Sequence, residues 1–241
     1  MNPSLKIRTI TKSSGTILSV TALSILSVTG CAQQQPPSAV VSPTQSAQTA
    51  KSTQQTQLVA SHKPSTLKNL QSAYNGESNA HVMYLAFAKK ADEEGYKEVA
   101  RLFQAAARAE AIHRDNHAKV IKQMGATPQN RITTPEVQST QENLDKAIKG
   151  ESYERDEMYP EFIKQANADG NKDAVQTLTY AFNAETQHAQ LYTQAKNNLN
   201  AWREVNKPLY VCTASGETSL NLSDTASCPK SNAKEQFEKI G

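Results

Sequence analysis

The fold of this chain is decided by one stretch, Ala109-Glu110-Ala111-Ile112-His113, whose Glu-x-x-His pattern returns as Ala184-Glu185-Thr186-Gln187-His188. Residues three apart share one face of a helix, so each copy presents a carboxylate and an imidazole side by side. Apolar residues repeat at helical spacing around both copies, which places these polar side chains on the faces that point to the core. A buried carboxylate is costly unless an opposite charge compensates it, and a metal ion is the simplest compensation.

Four amphipathic helices are predicted around these two stretches. An N-cap at Ser65 opens the first helix, a capping-box pattern at Ser139–Glu142 opens the third, and Gly95 and Gly170 separate the helices of each pair. Pro160 falls inside the third helix and is expected to kink it. The predicted helices cover residues 66 to about 95, 96 to about 125, 139 to about 168 and 172 to about 199.

The two helix pairs repeat one pattern. The first helix contains Asn69-Leu70-x-x-Ala73-x-x-Gly76-Glu77-Ser78, and the third contains the matching Asn143-Leu144-x-x-Ala147-x-x-Gly150-Glu151-Ser152. Each half therefore has a helix with one glutamate, Glu77 or Glu151, followed by a helix with Glu-x-x-His. Because each glycine turn stands about midway between these positions, all four helices can place their polar residues at one level of a bundle.

This set of side chains predicts an all-α fold with a metal centre. One glutamate from each of two helices, with Glu-x-x-His from the other two, is the ligand set of ferritin-like dinuclear four-helix bundles. Glu154, one turn after Glu151, adds a fifth carboxylate that has no counterpart in the first half. Two divalent ions nearly neutralise five carboxylates, which favours a dinuclear centre. Carboxylates and imidazoles suit iron or manganese, and the absence of thiolates from the set argues against a structural zinc site.

With these residues in place, the chain resembles the rubrerythrin family from about Thr66 to Ala195. The resemblance rests on Gly76-Glu77-Ser78, Ala109-Glu110-x-x-His113, Gly150-Glu151-Ser152-Tyr153-Glu154, Met158-Tyr159-Pro160 and Ala184-Glu185-x-x-His188. It implies a centre of two iron ions, with manganese as the alternative metal. The ligands that it implies are Glu77, Glu110, His113, Glu151, Glu154, Glu185 and His188.

The resemblance also implies roles for individual residues. Glu110 and Glu185 take the places of the bridging glutamates, and Glu154 and His113 match ligands that exchange when the redox state changes. Tyr84 and Tyr159 match tyrosines that hydrogen-bond to the centre, and we assign them to catalysis. His81 and His117 also fall on core faces but lie outside the family pattern, so we expect them to pack or to hold ligands in place.

The function that the resemblance implies is that of a peroxidase. Such an oxidoreductase reduces hydrogen peroxide to water in defence against oxidative stress, and the family is typically dimeric. A ferroxidase or an iron-binding envelope protein is the alternative, because ferritin relatives share the bundle. A metal-free bundle is disfavoured, since five core-facing glutamates would then lack a compensating charge.

Residues 201–241 resemble a degenerate form of the rubredoxin-like module that many rubrerythrins carry. Ser215 and Ser231 stand where the second cysteine of each metal-binding knuckle belongs, after Cys212 and Cys228. An iron centre of four thiolates needs four cysteines, so this site is expected to be lost and the electron donor is unknown. The rubredoxin arrangement then implies a disulfide between Cys212 and Cys228, with a residual metal site of two cysteines and two serines as the alternative.

The first 64 residues resemble the leader of a bacterial lipoprotein. Basic residues precede an apolar run from about residue 17 to 28, and Val28-Thr29-Gly30-Cys31 resembles a lipobox. We interpret residues 1–30 as a signal peptide, Cys31 as the lipidated residue and residues 31–64, rich in Gln, Ser, Thr and Pro, as a disordered tether. An ordinary signal peptide is the alternative. Ala32 after the cysteine favours the outer membrane over the inner, with the domain facing the periplasm.

Composition excludes one further class of function. The chain has 26 basic and 23 acidic residues in 241, spread without a basic run, and only 6% aromatic residues. A nucleic-acid partner is therefore not indicated. The chain is 37% hydrophobic, which is too polar for a protein embedded throughout in a membrane.

Overall fold

Helices dominate the part of the chain that the computed structural model describes, namely residues 65–204, 208–221, 228 and 236–241. The helices are α1 (Thr66–Glu93), α2 (Lys97–Gln123), α3 (Thr140–Tyr153), α4 (Tyr159–Ala168) and α5 (Lys172–Asn197), with a 3₁₀ turn at Leu199–Trp202. The predicted four-helix bundle is confirmed, with α3 and α4 together forming the third helix. Among the described residues, no helix is both long and apolar enough to span a membrane. The predicted signal peptide, Cys31 and the tether lie outside the described residues.

The third helix differs from the predicted kinked helix. A π-helical turn, Glu154–Met158, separates α3 from α4, and the Tyr159 N–H donates to the Glu154 carbonyl five residues back. Pro160 follows directly at the start of α4. Proline has no N–H and crowds the carbonyl four residues earlier, so an α-helical ladder cannot pass through this position undisturbed. The wider π turn accommodates the interruption and inserts one residue into the helix.

The first helix of each half is capped by a residue from the other half. Asp169, in the turn before α5, accepts from the Thr66 backbone N–H at 3.1 Å and from its hydroxyl at 2.7 Å. Glu94, in the turn before α2, accepts from the Thr140 N–H at 2.8 Å. Each half thus caps the first helix of the other. The predicted capping box of Ser139 and Glu142 is also present at α3.

The loop between α2 and α3 runs beside α1 and is hydrogen-bonded to it. Side chains of Gln71, Asn75 and Asn79 hydrogen-bond the backbone of residues 127–133, with partners at every second loop residue and distances of 2.7–3.0 Å. Four helical residues rise about as far as two extended residues, roughly 6 Å, so the two spacings match. This loop therefore has a fixed position beside α1.

The C-terminal strands share the core of the bundle. Strands β1 (Leu209–Cys212), β2 (Thr218–Ser219) and β3 (Phe237–Ile240) form an antiparallel sheet in the order β2-β1-β3. Leu209 and Val211 are fully buried in the same cluster as Phe103 of α2. Strand β1 of the predicted C-terminal module therefore packs into the core of the bundle.

Candidate metal centre

Six of the seven predicted ligands meet in the middle of the bundle. They form two groups, Glu77, Glu110, His113 and Glu185, and Glu110, Glu151, Glu185 and His188, in each of which one ligand atom per residue lies within 4.8 Å of the others. Each of the six side chains is 1% exposed or less. Glu110 and Glu185 belong to both groups. Two sites that share two carboxylates are the arrangement that a dinuclear centre requires.

His113 presents Nδ1 to the carboxylates. Its Nδ1 lies 3.1 Å from Glu110 Oε2 and 3.1 Å from Glu185 Oε1, and its Nε2 lies 3.0 Å from the Ser215 carbonyl oxygen. A carbonyl oxygen only accepts, so Nε2 carries a proton and donates to it. The tautomer is thereby fixed, and Nδ1 can offer its lone pair to a metal ion.

His188 is held in the same way in the second half. Its Nδ1 lies 2.9 Å from Glu185 Oε2 and 3.5 Å from Glu110 Oε1, while Nε2 lies 3.0 Å from the Thr218 hydroxyl. That hydroxyl in turn donates to the Gly216 carbonyl at 3.2 Å. With its own proton engaged, the Thr218 oxygen accepts from Nε2–H, which again leaves Nδ1 for a metal ion.

The charges of the site depend on each other. Burial raises the pKa of Glu77 and of Glu151 well above the usual range, and neighbouring carboxylates raise both further. Burial favours the neutral ring of His113, but the charge of Glu185 and hydrogen bonds to Glu110 and Glu185 raise its pKa to about 10. Burial opposes ionisation of Glu110, yet hydrogen bonds from both histidines lower its pKa. Where no metal ion is bound, histidine protons therefore offset the carboxylate charges.

Glu77 and Glu151, which each belong to one ligand group, each have one carboxylate oxygen that accepts no hydrogen bond from the described residues. Oε1 of Glu77 accepts from the Tyr159 hydroxyl, and Oε1 of Glu151 accepts from the Tyr84 hydroxyl. The Oε2 atom of each glutamate is buried and has no hydrogen-bond partner among the residues that the structure describes. A buried carboxylate oxygen without a partner is costly, and a metal ion removes that cost. The residues present therefore fit two metal ions.

The predicted tyrosines contact the site across the repeat. Tyr84 of the first half bonds Glu151 of the second half, whereas Tyr159 of the second half bonds Glu77 of the first. Burial, followed by the nearby carboxylate charge, raises the pKa of both hydroxyls well above the usual range. Both tyrosines therefore stay protonated and act as donors.

Glu154, the seventh predicted ligand, belongs to neither group of four. It is half-buried, and with Tyr84 it lines a cavity of about 360 Å³ beside the centre. Burial and the charges of Glu185 and Glu151 raise its pKa. In this arrangement His113 contacts the shared glutamates, while Glu154 lies near them without joining either ligand group.

Two further histidines in the described part of the chain, His117 and His81, have separate partners. His117 is fully buried and lies 3.0 Å from the Thr177 hydroxyl through Nδ1 and 3.4 Å from the Tyr159 hydroxyl through Nε2. Burial and the charge of His113 lower the pKa of His117 to about 3, so the ring is neutral. His81 is only half-buried, and its Nδ1 donates to the Ala107 carbonyl at 2.7 Å. His117 supports the site through Tyr159, whereas His81 bonds the backbone of α2.

The sequence did not predict that residues 209–219, the C-terminal hairpin, cover both histidine ligands. Ser215 and Thr218 contact His113 and His188, and the Gly216 N–H donates to the Cys212 carbonyl at 2.9 Å. Gly216 has φ +78°, and a Cβ there would lie 2.2 Å from His113 Nε2, so only glycine fits. Cys212 and Cys228, for which a disulfide was predicted, are joined as a disulfide. The only sequence signal for this contact is the glycine after Ser215.

Comparisons with known proteins agree with this geometry. The profile of the rubrerythrin family matches residues 68–196. Nigerythrin of Nitratidesulfovibrio vulgaris is 43% identical over 138 residues, covering 57% of this chain and 68% of nigerythrin. Rubrerythrin-2 of Clostridium acetobutylicum is 35% identical over 163 residues, covering 66% of this chain and 88% of that protein. A structure of nigerythrin in a mixed-valence state has a TM-score of 0.66 at 35% identity, covering 75% of this chain and 88% of that one.

The matched span contains the six gathered ligands and both tyrosines. The predicted cofactor is confirmed, since homologues of the family are di-iron proteins and the buried clusters can hold the metal. The chain therefore belongs to the rubrerythrin family, and its buried glutamates and histidines form a di-iron site.

Proposed function

We propose that this chain is a peroxidase that reduces hydrogen peroxide to water at the cell envelope. The observation that carries the proposal is the pair of ligand groups that share Glu110 and Glu185. Two adjoining metal sites suit a reaction that needs two electrons. When bound, a ferrous pair would supply those electrons and polarise the peroxide. Peroxidase activity is the general role of the family, which supports the assignment.

The surrounding residues prepare the site for this reaction. Tyr84 and Tyr159 remain protonated and donate to Glu151 and Glu77, so each holds one glutamate in a single orientation. The cavity beside Glu154 is open to the surface and is lined by Tyr84. The centre itself is fully buried, which strengthens electrostatic interactions with bound peroxide because little water screens them.

The location and the donor are parts of the same proposal. Lipidation at Cys31 would tether the domain to the outer membrane on its periplasmic side, and residues 31–64 would serve as the spacer. The module that should hold a four-thiolate iron centre has a disulfide between Cys212 and Cys228. We therefore propose an external electron donor of a kind not yet identified. We also propose a homodimer, because members of the family often form homodimers.

One experiment separates peroxidase from ferroxidase activity. The full chain, loaded with iron and reduced without oxygen, is mixed with one equivalent of hydrogen peroxide or with oxygen. A peroxidase is expected to be oxidised faster by peroxide, to form water without releasing oxygen, and to hold two iron ions per chain throughout. Continued uptake of iron beyond two ions, with oxygen as the better oxidant, would establish a ferroxidase and overturn the proposal.

A further inference from the structure

The cavity beside the centre has an apolar body and a polar inner end. Ala80 and Met83 of α1 and Pro135 of the fixed loop line its walls. Glu154 and Tyr84 line the same cavity, and Tyr84 bonds the metal-site residue Glu151. The cavity therefore places an apolar chamber beside Tyr84, which is one hydrogen bond away from a ligand of the second site.

The size of this cavity exceeds what hydrogen peroxide needs. Its volume is about 360 Å³. A water molecule in the liquid takes roughly 30 Å³, so a molecule with two oxygen atoms would fill only a small fraction of the space. Sites for organic molecules begin at roughly 300 Å³ and are mostly apolar with a few placed polar groups. Both the volume and the lining fit an organic molecule.

The wall formed by the loop has a fixed position, which a selective site requires. Pro135 lines the cavity, as does Thr133 two residues earlier, and the Thr133 N–H donates to the Asn79 side chain at 2.9 Å. Asn79 also donates to the Arg131 carbonyl at 3.0 Å. At the outer rim Lys146 lies 3.8 Å from Glu136, and both are exposed. The apolar section thus lies between a charged rim and the acidic inner end.

We propose that this cavity admits an organic hydroperoxide, ROOH, as a substrate of the same centre. The inference rests on the proposed function. The group R packs against Ala80, Met83 and Pro135, and the hydroperoxide group points to Glu154 and Tyr84. With a ferrous pair bound, cleavage of the O–O bond would take two electrons from that pair and two protons from solvent, giving ROH and H₂O. The external donor of the proposed function then returns the two electrons.

Gly150 offers the variant that tests this proposal. It lines the cavity from α3, and a Cβ placed there meets nothing within 4 Å, so a larger side chain can enter the cavity without displacing its neighbours. Gly150→Leu reduces the space for R, whereas Gly150→Ala changes the helix in the same way with little added bulk. Turnover of cumene hydroperoxide and of hydrogen peroxide is measured for both variants and for the unaltered chain.

The expected result is selective. In Gly150→Leu, kcat/KM for cumene hydroperoxide falls by about tenfold or more, as when pocket space is lost for a substrate group. For hydrogen peroxide it changes by less than about twofold, because so small a molecule still fits. Gly150→Ala behaves like the unaltered chain with both peroxides.

A binding measurement gives a readout apart from turnover. Saturation-transfer NMR with 2-phenyl-2-propanol, the alcohol formed from cumene hydroperoxide, is expected to show binding to the oxidised protein and none to Gly150→Leu. If hydrogen peroxide is reduced but cumene hydroperoxide is not, or if Gly150→Leu slows both equally, the cavity is not the site of R and only this inference fails. If neither peroxide is reduced, the proposed function itself is wrong.

Discussion

The two halves of the bundle supply matching ligands but differ by one residue in length. Glu77 and Glu151 lie 74 positions apart in the sequence, whereas Tyr84 and Tyr159 lie 75 apart. The π turn at Glu154–Met158 lies between Glu151 and Tyr159 and contains the additional residue. A π turn places one more residue in a helical turn, so Tyr159 keeps the position that Tyr84 holds in the first half. The longer half is also the one that carries Glu154.

The surroundings of the two tyrosines differ more than the ligands do. Tyr84 packs among Phe87, Phe103 and Tyr192, with ring centroids 5.6–6.2 Å away. Tyr159 instead has the neutral His117 behind its hydroxyl. The tyrosine that bonds Glu151 thus lies in an aromatic cluster. The tyrosine that bonds Glu77 is instead followed by a hydrogen-bonded series of His117 and Thr177. A nearly symmetric ligand set therefore gives two inequivalent metal sites.

Removal of a shared glutamate is expected to have the largest effect. Because Glu110 belongs to both ligand groups, Glu110→Ala should abolish the dinuclear centre, and Glu185→Ala should do the same. Glu77→Ala touches one group and should spare the other ion. The iron content per chain measures the difference. His81→Ala is the control and should keep two ions, since the Ala107 carbonyl is the one hydrogen-bond partner of His81 among the described residues. Two ions bound in Glu110→Ala would refute the shared-ligand arrangement.

A larger residue at Gly216 should weaken iron binding at the ligand group that contains His113. A Cβ at this position lies 2.2 Å from His113 Nε2, so Gly216→Ala must push the C-terminal hairpin or the imidazole aside. We expect iron affinity, measured by competition with a chelator, to fall by about 10- to 100-fold, as when a ligand loses its supporting hydrogen bond.

Gly125→Ala is the matched control for this change. Gly125 has the same φ of +78°, but a Cβ there meets nothing within 4 Å, so the variant shares the backbone strain without the clash. Equal loss of iron affinity in both variants would show that strain alone, and not contact with His113, is responsible.

The hydroxyl of Thr218 allows the corresponding test in the second half. Thr218→Val removes the acceptor for His188 Nε2–H, and we expect iron affinity to fall by about tenfold. Thr218→Ser keeps the hydroxyl and should restore the affinity. The optical spectrum of the oxidised centre should shift in the valine variant alone, because the imidazole is then free to reorient. An unchanged spectrum and affinity in Thr218→Val would mean that this hydrogen bond does not position His188.

Removal of the helix caps Asp169 and Glu94 should have the smallest effect. We expect the loss of thermal stability to be similar in the two halves. Hydrogen bonds from Thr66 lower the pKa of Asp169, and those from Thr140 lower the pKa of Glu94. A group with a lowered pKa stabilises the fold above its unfolded pKa, and that contribution is lost as pH falls through its folded pKa.

Asp169→Asn and Glu94→Gln should each lower Tm near neutral pH, and by less in acid because the native carboxylates are then protonated. The effect should be small, because Asp169 is exposed and Glu94 is only half-buried. Thermal unfolding from pH 7 to pH 3 measures both. A much larger effect in one variant would show that the caps are not equivalent.

Much of the bundle could be predicted because its signals are local. Helical spacing of apolar residues gave the helices, and the spacing of glutamates and histidines gave the ligand groups. The π turn was missed although the change of offset from 74 to 75 is visible in the sequence, since Pro160 by itself indicates only a kink. The contacts of the hairpin could not be predicted, because Ser215 reaches His113 across 102 residues and no periodic pattern links them. The place of Glu154 outside both ligand groups also depends on packing alone.

The hairpin over His113 and His188 bears on the order in which the protein is assembled. The paired helices α1 and α2 are joined by a three-residue turn, whereas the hairpin meets its histidines only after much longer segments of chain have been closed. Contacts between distant residues form late in folding because closing a long loop costs entropy. Iron can therefore enter the bundle before the hairpin closes against the two histidines, and afterwards the closed hairpin holds both imidazoles in the orientation that a bound metal needs. Loosening of these imidazoles, and with it release of the metal, then depends on how often the hairpin opens.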